Sequence, residues 1–137
     1  MSFLLDTDVI SQLTKDRPHK PVLDWLVRSI DEEFYLSVVT VEEIREGIEM
    51  MAPGKKKNRL DLWLREEILQ DYRDRILPLT VEIADVCGRM LGAKEMRRFH
   101  PDTGDAYIAA TARVHGLVVA TLNRKHFERL SVELVEF

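Results

Sequence analysis

A chain of 137 residues falls in the size range of one compact domain, and no Pro/Gly/Ser-rich linker or internal repeat divides it, so residues 1–137 are read as a single domain. With 45% hydrophobic and 32% charged residues it can bury a core and still solvate its surface, which excludes global disorder. Twenty Lys and Arg against 24 Asp and Glu leave a net charge of −4, so a nucleic-acid partner has to be held by local basic patches rather than by the overall field.

The first apolar run, Ser2 to Leu5, ends on Asp6 and reads as a buried strand. No basic region precedes it, and no apolar run approaches the roughly 20 residues that cross a bilayer, so a cytoplasmic location is expected. Asp8 is placed to cap a helix over Val9–Leu13, and Val22, Leu23, Leu26, Val27 and Ile30 mark a second helix. Phe34 to Val39, aromatic and β-branched, predicts a second strand. Thr40-Val41-Glu42-Glu43 then has the form of a capping box with Thr40 as N-cap. Ala52-Pro53-Gly54 marks a turn, followed by Leu60, Trp63, Leu64, Ile68 and Leu69 at helical spacing.

Ile76-Leu77 is a short strand stopped by Pro78, and a helix capped by Thr80 runs through Ile83, Cys87 and Met90 toward Glu95. Cys87, the single cysteine, lies on its apolar face and reads as core; no Cys/His set suggests zinc. Asp102 or Thr103 caps a further helix through Ala106, Ile108, Ala109 and Ala112, which Gly116 ends. Leu117 to Ala120 is a fourth strand and Val132 to Val135 a fifth. Strands alternating with helices predict an α/β fold on a mainly parallel sheet.

In such sheets the functional crevice lies beyond the carboxyl ends of the strands. Asp6, Glu42 or Glu43, Asp102, Asp105, Thr121 and Asn123 all fall there. Taken singly, most of these acids read as helix caps or first-turn residues. Gathered, they repel one another and raise each other's pKa unless a cation neutralises them, and carboxylate donors suit magnesium.

The segments Leu4-Leu5-Asp6-Thr7-Asp8-Val9-Ile10, Ser37 to Gly47, Asp105-Ala106-Tyr107-Ile108-Ala109-Ala110-Thr111-Ala112 and Gly116 to Phe127 together resemble the PIN domain, and more narrowly the VapC-type toxins of toxin–antitoxin pairs. The resemblance covers essentially the whole chain. It implies a three-layer α/β/α sandwich and a Mg²⁺-dependent endoribonuclease, with Mn²⁺ able to substitute, in which metal-activated water hydrolyses the phosphodiester to leave 5′-phosphate and 3′-hydroxyl ends. It further implies a small cognate antitoxin and a homodimer. Carried over residue by residue, it places Asp6, Glu43 and Asp105 as catalytic and metal-binding acids. Thr7, Thr121, Asn123 and Arg124 fall at positions that would orient ligands or touch substrate. Where many PIN domains have a fourth acid this chain has Asn123.

Two other readings compete. Asp6-Thr7-Asp8-Val9-Ile10 nearly matches the haloacid-dehalogenase phosphatase signature, in which the first aspartate is a nucleophile, but its fifth position is Ile10 and a later aspartate pair is missing. A non-catalytic binding module, its acids only helix caps, is the other.

Overall fold

The computed structural model describes residues 1–137. Strand β1 (Ser2–Leu5) leads into a short helix α1 (Thr7–Ile10) and a 3₁₀ turn (Ser11–Thr14); α2 (Lys20–Arg28) precedes β2 (Glu33–Ser37). Helices α3 (Val38–Glu49) and α4 (Lys55–Leu62) follow, then β3 (Ile76–Leu77), α5 (Val81–Gly92), α6 (Thr103–His115), β4 (Val118–Ala120) and α7 (Arg124–Phe127).

The four strands form one parallel sheet in the order β3-β2-β1-β4, with Phe3 opposite both Phe34 and Val118. Successive side chains of a strand point to opposite faces, and the core divides accordingly. Phe3, Leu5, Val118 and Ala120 face one layer with Val9, Val22, Trp25, Ile44, Ile48, Leu64 and Ile68. Leu4 and Val119 face the other with Ile83, Cys87, Met90, Ala106, Ile108 and Ala109. Helices therefore cover both faces, which is the expected three-layer sandwich. Leu4 and Leu5 are fully buried, and truncating either to Ala would cost about 2–5 kcal/mol. Trp25 meets Phe3 edge-on at 5.0 Å and Phe137 at 5.4 Å, which ties the C-terminus to the first layer.

Several elements differ from the sequence reading, two of them because a side chain caps earlier than expected. The second strand stops at Ser37, whose hydroxyl accepts the Val39 N–H at 3.0 Å and starts α3 at Val38. Thr40 is thus inside the helix and not its cap; its hydroxyl is buried without a hydrogen-bond partner. Asp6, rather than Asp8, caps α1 by accepting the Thr7 N–H at 2.8 Å. The periodic stretch through Leu69 is α4 continued by a π-helical segment, Trp63–Ile68, closed by Leu69 N–H donating to the Leu64 carbonyl. Val132 to Val135 forms a single bridge, Leu134 to Val119, rather than a strand. The Thr80 cap, the Asp102 cap and left-handed Gly116 (φ 67°) stand where the sequence puts them.

Candidate active site

Connections from β1 run one way across the sheet to β2 and β3, then return past β1 to β4, so the strand order reverses between β1 and β4. A crevice opens at such a reversal, beyond the strand ends. Asp6 ends β1 and Thr121 follows β4 on its two sides.

Asp6 is 4% exposed. Its backbone N–H extends the ladder to the Ala120 carbonyl at 2.9 Å. One carboxylate oxygen accepts the Thr7 N–H and the other accepts the Thr121 hydroxyl, both at 2.8 Å. The Asn123 N–H donates to the same threonine oxygen at 3.0 Å. A hydroxyl has one proton to give, so Thr121 serves Asp6 and only neighbours Asp8, 3.5 Å away. Burial, then the Asp8 charge, pushes the Asp6 carboxyl up to about 7, against the lowering effect of the Thr121 and Thr7 bonds.

Asp8 projects from α1 toward the loop after β4, where its Oδ2 accepts the Leu122 N–H at 3.1 Å. Its Oδ1 is buried with no hydrogen-bond partner, and burial raises its pKa. Glu43, near the middle of α3, accepts the Thr7 hydroxyl at 2.8 Å, so Thr7 joins the first and second acidic segments. Burial, then the charges of Asp105, Asp102 and Glu42, raises Glu43. Glu42 is exposed, in keeping with the roughly 100° between adjacent helical residues.

Asp105 stands in the first turn of α6 under the Asp102 cap, whose carboxylate accepts the Asp105 N–H at 3.2 Å. His126 Nδ1 of α7 lies 3.1 Å from Asp105 Oδ2. Burial, then Asp102, raises Asp105, while His126 lowers it. A Cβ on Gly104 would stand 3.0 Å from Asp102 Oδ2, so glycine keeps this cap open.

The sequence matches the PIN domain over residues 3–133. The chain belongs to the PIN domain family. It is 39% identical to Toxin FitB of Neisseria gonorrhoeae over 124 residues, 90% of this chain and 89% of that protein. It is 33% identical to VapC ribonuclease Y4jK of Sinorhizobium fredii over 132 residues, 96% of this chain and 94% of that protein. The crystal structure of FitAcB from Neisseria gonorrhoeae is similar with a TM-score of 0.89 at 37% identity, covering 99% of this chain and 97% of that one.

The acidic edge of this PIN domain has the donor chemistry of a hard divalent cation: mainly carboxylate oxygens, one of them buried and unpartnered, with four carboxyls raised by burial and three of them also by neighbouring charges. No three acidic, His or Cys side chains are drawn close enough to form a ready ligand set. That arrangement still suits magnesium, which commonly takes one or two carboxylates and keeps several waters.

Of the remaining sequence candidates, Asn123 is exposed and its side chain makes no capping bond, while its backbone positions Thr121. The Arg124 guanidinium donates to the Val135 carbonyl at 2.6 Å and so anchors the C-terminal tail. Asp8 and His126 are the residues that sequence reasoning left out of the site. The signal for Asp8 is its place two residues after Asp6; His126 reads from sequence as a surface histidine within reach of substrate, and only its contact with Asp105, 21 residues away, ties it to the acids.

Proposed function

We propose that this PIN domain is a Mg²⁺-dependent endoribonuclease, the toxin of a toxin–antitoxin pair. The observation that carries this reading is the meeting of Asp6, Asp8, Glu43 and Asp105 at the reversal point of the sheet, in a chain whose relatives include proteins named toxin and ribonuclease.

Asp6, Glu43 and Asp105 would hold the cation, Mg²⁺ or Mn²⁺, one or two of them directly and the rest through waters the ion retains. Bound there, it supplies positive charge against the phosphate oxygens and makes a water more acidic. The chain itself orients the acids. Thr121, fixed by the Asn123 N–H, and the Thr7 N–H hold both oxygens of Asp6. The Thr7 hydroxyl fixes Glu43, and His126 sets the rotation of Asp105. Asp8, anchored on the Leu122 N–H, ties the loop after β4 to α1.

Restraint of such an enzyme fits the cavity beside Glu43. It has a volume of about 480 Å³ and opens on Thr7 and Glu43, with Ile44, Ile48, Leu60 and Trp63 along its wall. An apolar antitoxin segment lying here would bring a cationic side chain to the acids. A homodimer belongs to the same proposal.

Purified protein should cleave RNA only with Mg²⁺ or Mn²⁺ and leave 5′-phosphate ends, with an Asp6→Asn preparation controlling for contaminating nuclease. Undiminished cleavage in EDTA would refute the reading. Co-expression of the adjacent reading frame should relieve any growth arrest.

A further inference from the structure

A second groove, which shares no lining residue with the apolar cavity, borders the acidic edge at His126 and Asp102. It has a volume of about 410 Å³ and lies between the loop around Phe99 and His100 and helix α7. Four basic or imidazole side chains line it, His100, Lys125, His126 and Arg129, against one acid, Asp102. Neither Lys125 nor Arg129 makes an ion pair. In a chain of net charge −4, a pair of unneutralised cations in one groove is a local reversal of the overall field.

The groove also has an aromatic floor. The Arg129 guanidinium carbon stands 3.2 Å from the centre of the Phe99 ring, and Phe99 as a residue is 46% exposed. The guanidinium stacked on the ring fixes its position. Proteins that take single strands without reading sequence use this pairing, aromatic rings for bases and cations for phosphates. His126 connects the groove to the acids, since it lines the groove and touches Asp105.

We infer that this groove is a subsite for a nucleotide neighbouring the cleaved bond of a single-stranded RNA, its base stacked on Phe99 and its phosphate held by Lys125 and Arg129. The inference rests on the nuclease reading above and adds to it where the substrate strand runs. A protein partner fits the groove less well. Its apolar lining is limited to Met96, Phe99 and Leu130, with a cationic rim rather than a continuous apolar stripe. Base stacking demands an unpaired strand, so a duplex should be bound weakly here.

Binding of a fluorescein-labelled single-stranded RNA decamer, followed by anisotropy in EDTA so that nothing is cleaved, tests this directly. Phe99→Ala and Phe99→Leu should each weaken binding about tenfold, and Phe99→Trp should retain it. Because Phe99 is half-exposed and outside both core clusters, these variants should fold, and Phe99→Leu keeps an apolar side chain while removing the ring. Lys125→Ala should reduce the slope of log affinity against log salt by about 0.7, the value of one single-strand phosphate contact, whereas Lys20→Ala on α2 should not. Equal affinities across the Phe99 series would overturn the subsite, as would absence of RNA binding by the wild-type chain. Release of a co-purifying protein by Phe99→Ala, with RNA affinity unchanged, would also overturn it. The nuclease reading is judged separately, by cleavage of RNA by the wild-type chain in Mn²⁺, and survives a silent groove.

Discussion

Asp6 at the end of β1 and Asp8 in the short α1 that follows are bonded to backbone N–H groups and a threonine hydroxyl, whereas Glu43 and Asp105 stand on α3 and α6 and each meets one side chain from another segment. The first pair is positioned by the sheet itself: Asp6 continues the β1–β4 ladder, and Asp8 bonds the residue that follows Thr121. The second pair depends on how two helices sit against that sheet. One buried carboxyl, Asp6, and three partly buried ones thus share one site. The strand-end half should govern charge and stability, and the helix half should govern affinity for the cation.

Asp6→Asn breaks the comparison most severely. Cleavage should fall by a hundredfold or more, since a neutral amide cannot supply the anionic oxygen. Yet the metal-free variant should be at least as stable as the wild type at pH 8, because it removes a charge buried at 4% exposure. Thermal unfolding in EDTA checks this, and a variant much less stable than the wild type at pH 8 would show that the Asp6 hydrogen bonds outweigh its desolvation.

The same carboxyl sets a pH dependence. Its pKa is raised from 3.8 to about 7 in the folded chain, so between those values the folded state binds more protons than the unfolded state. Stability of the metal-free protein should therefore fall as pH rises from about 4 to 7, by an amount on the order of a few kcal/mol. Asp8, Glu43 and Asp105 shift in the same direction and add to the trend. Mn²⁺ competes with those protons, so it should raise the unfolding temperature more at pH 8 than at pH 5. Equal stabilisation at both values would mean that the cation does not reach these carboxyls.

The helix half is tested by the neighbours Glu42 and Glu43. Glu43→Gln should weaken Mn²⁺ binding strongly and abolish most cleavage, while exposed Glu42→Gln should change either by less than about threefold. Stabilisation by Mn²⁺, measured on both variants, separates loss of a ligand from loss of fold.

How far the sequence disclosed this arrangement depended on the range of the interactions. Local context marks Asp6 as an acid at a strand end, leaves Glu42 and Glu43 as alternatives and gives Asp105 as a first-turn residue; choosing Glu43 and grouping the three takes the family resemblance. The two covered faces are consistent with continuous apolar strands such as Phe3-Leu4-Leu5, whose alternate residues enter opposite cores. What escaped was decided by competing caps and by distant contacts. Ser37 and Thr40 are both good N-cap residues three positions apart, and only the end of the β2 ladder chooses Ser37. Asp8 looked like a local cap, yet its carboxylate bonds a residue 114 positions away.

Asn123 lies at the seam between the two halves and sharpens the comparison with the smallest effects. Its backbone N–H already holds Thr121, a bond no side-chain change removes, so the strand-end half should be indifferent to substitution here. Its side chain caps nothing in α7, so Asn123→Ala should alter stability by less than the roughly 1 kcal/mol that loss of a true N-cap costs. Asn123→Asp places a carboxylate at the position where many PIN domains carry their fourth acid. If a weaker second cation position lies there, the variant should need less Mn²⁺ for half-maximal cleavage. The maximal rate need not rise, because the added charge also repels the anionic RNA and the other acids. An unchanged Mn²⁺ requirement in Asn123→Asp, with folding intact, would place residue 123 outside the cation's reach and leave Thr121 positioning, through the backbone, as its whole contribution.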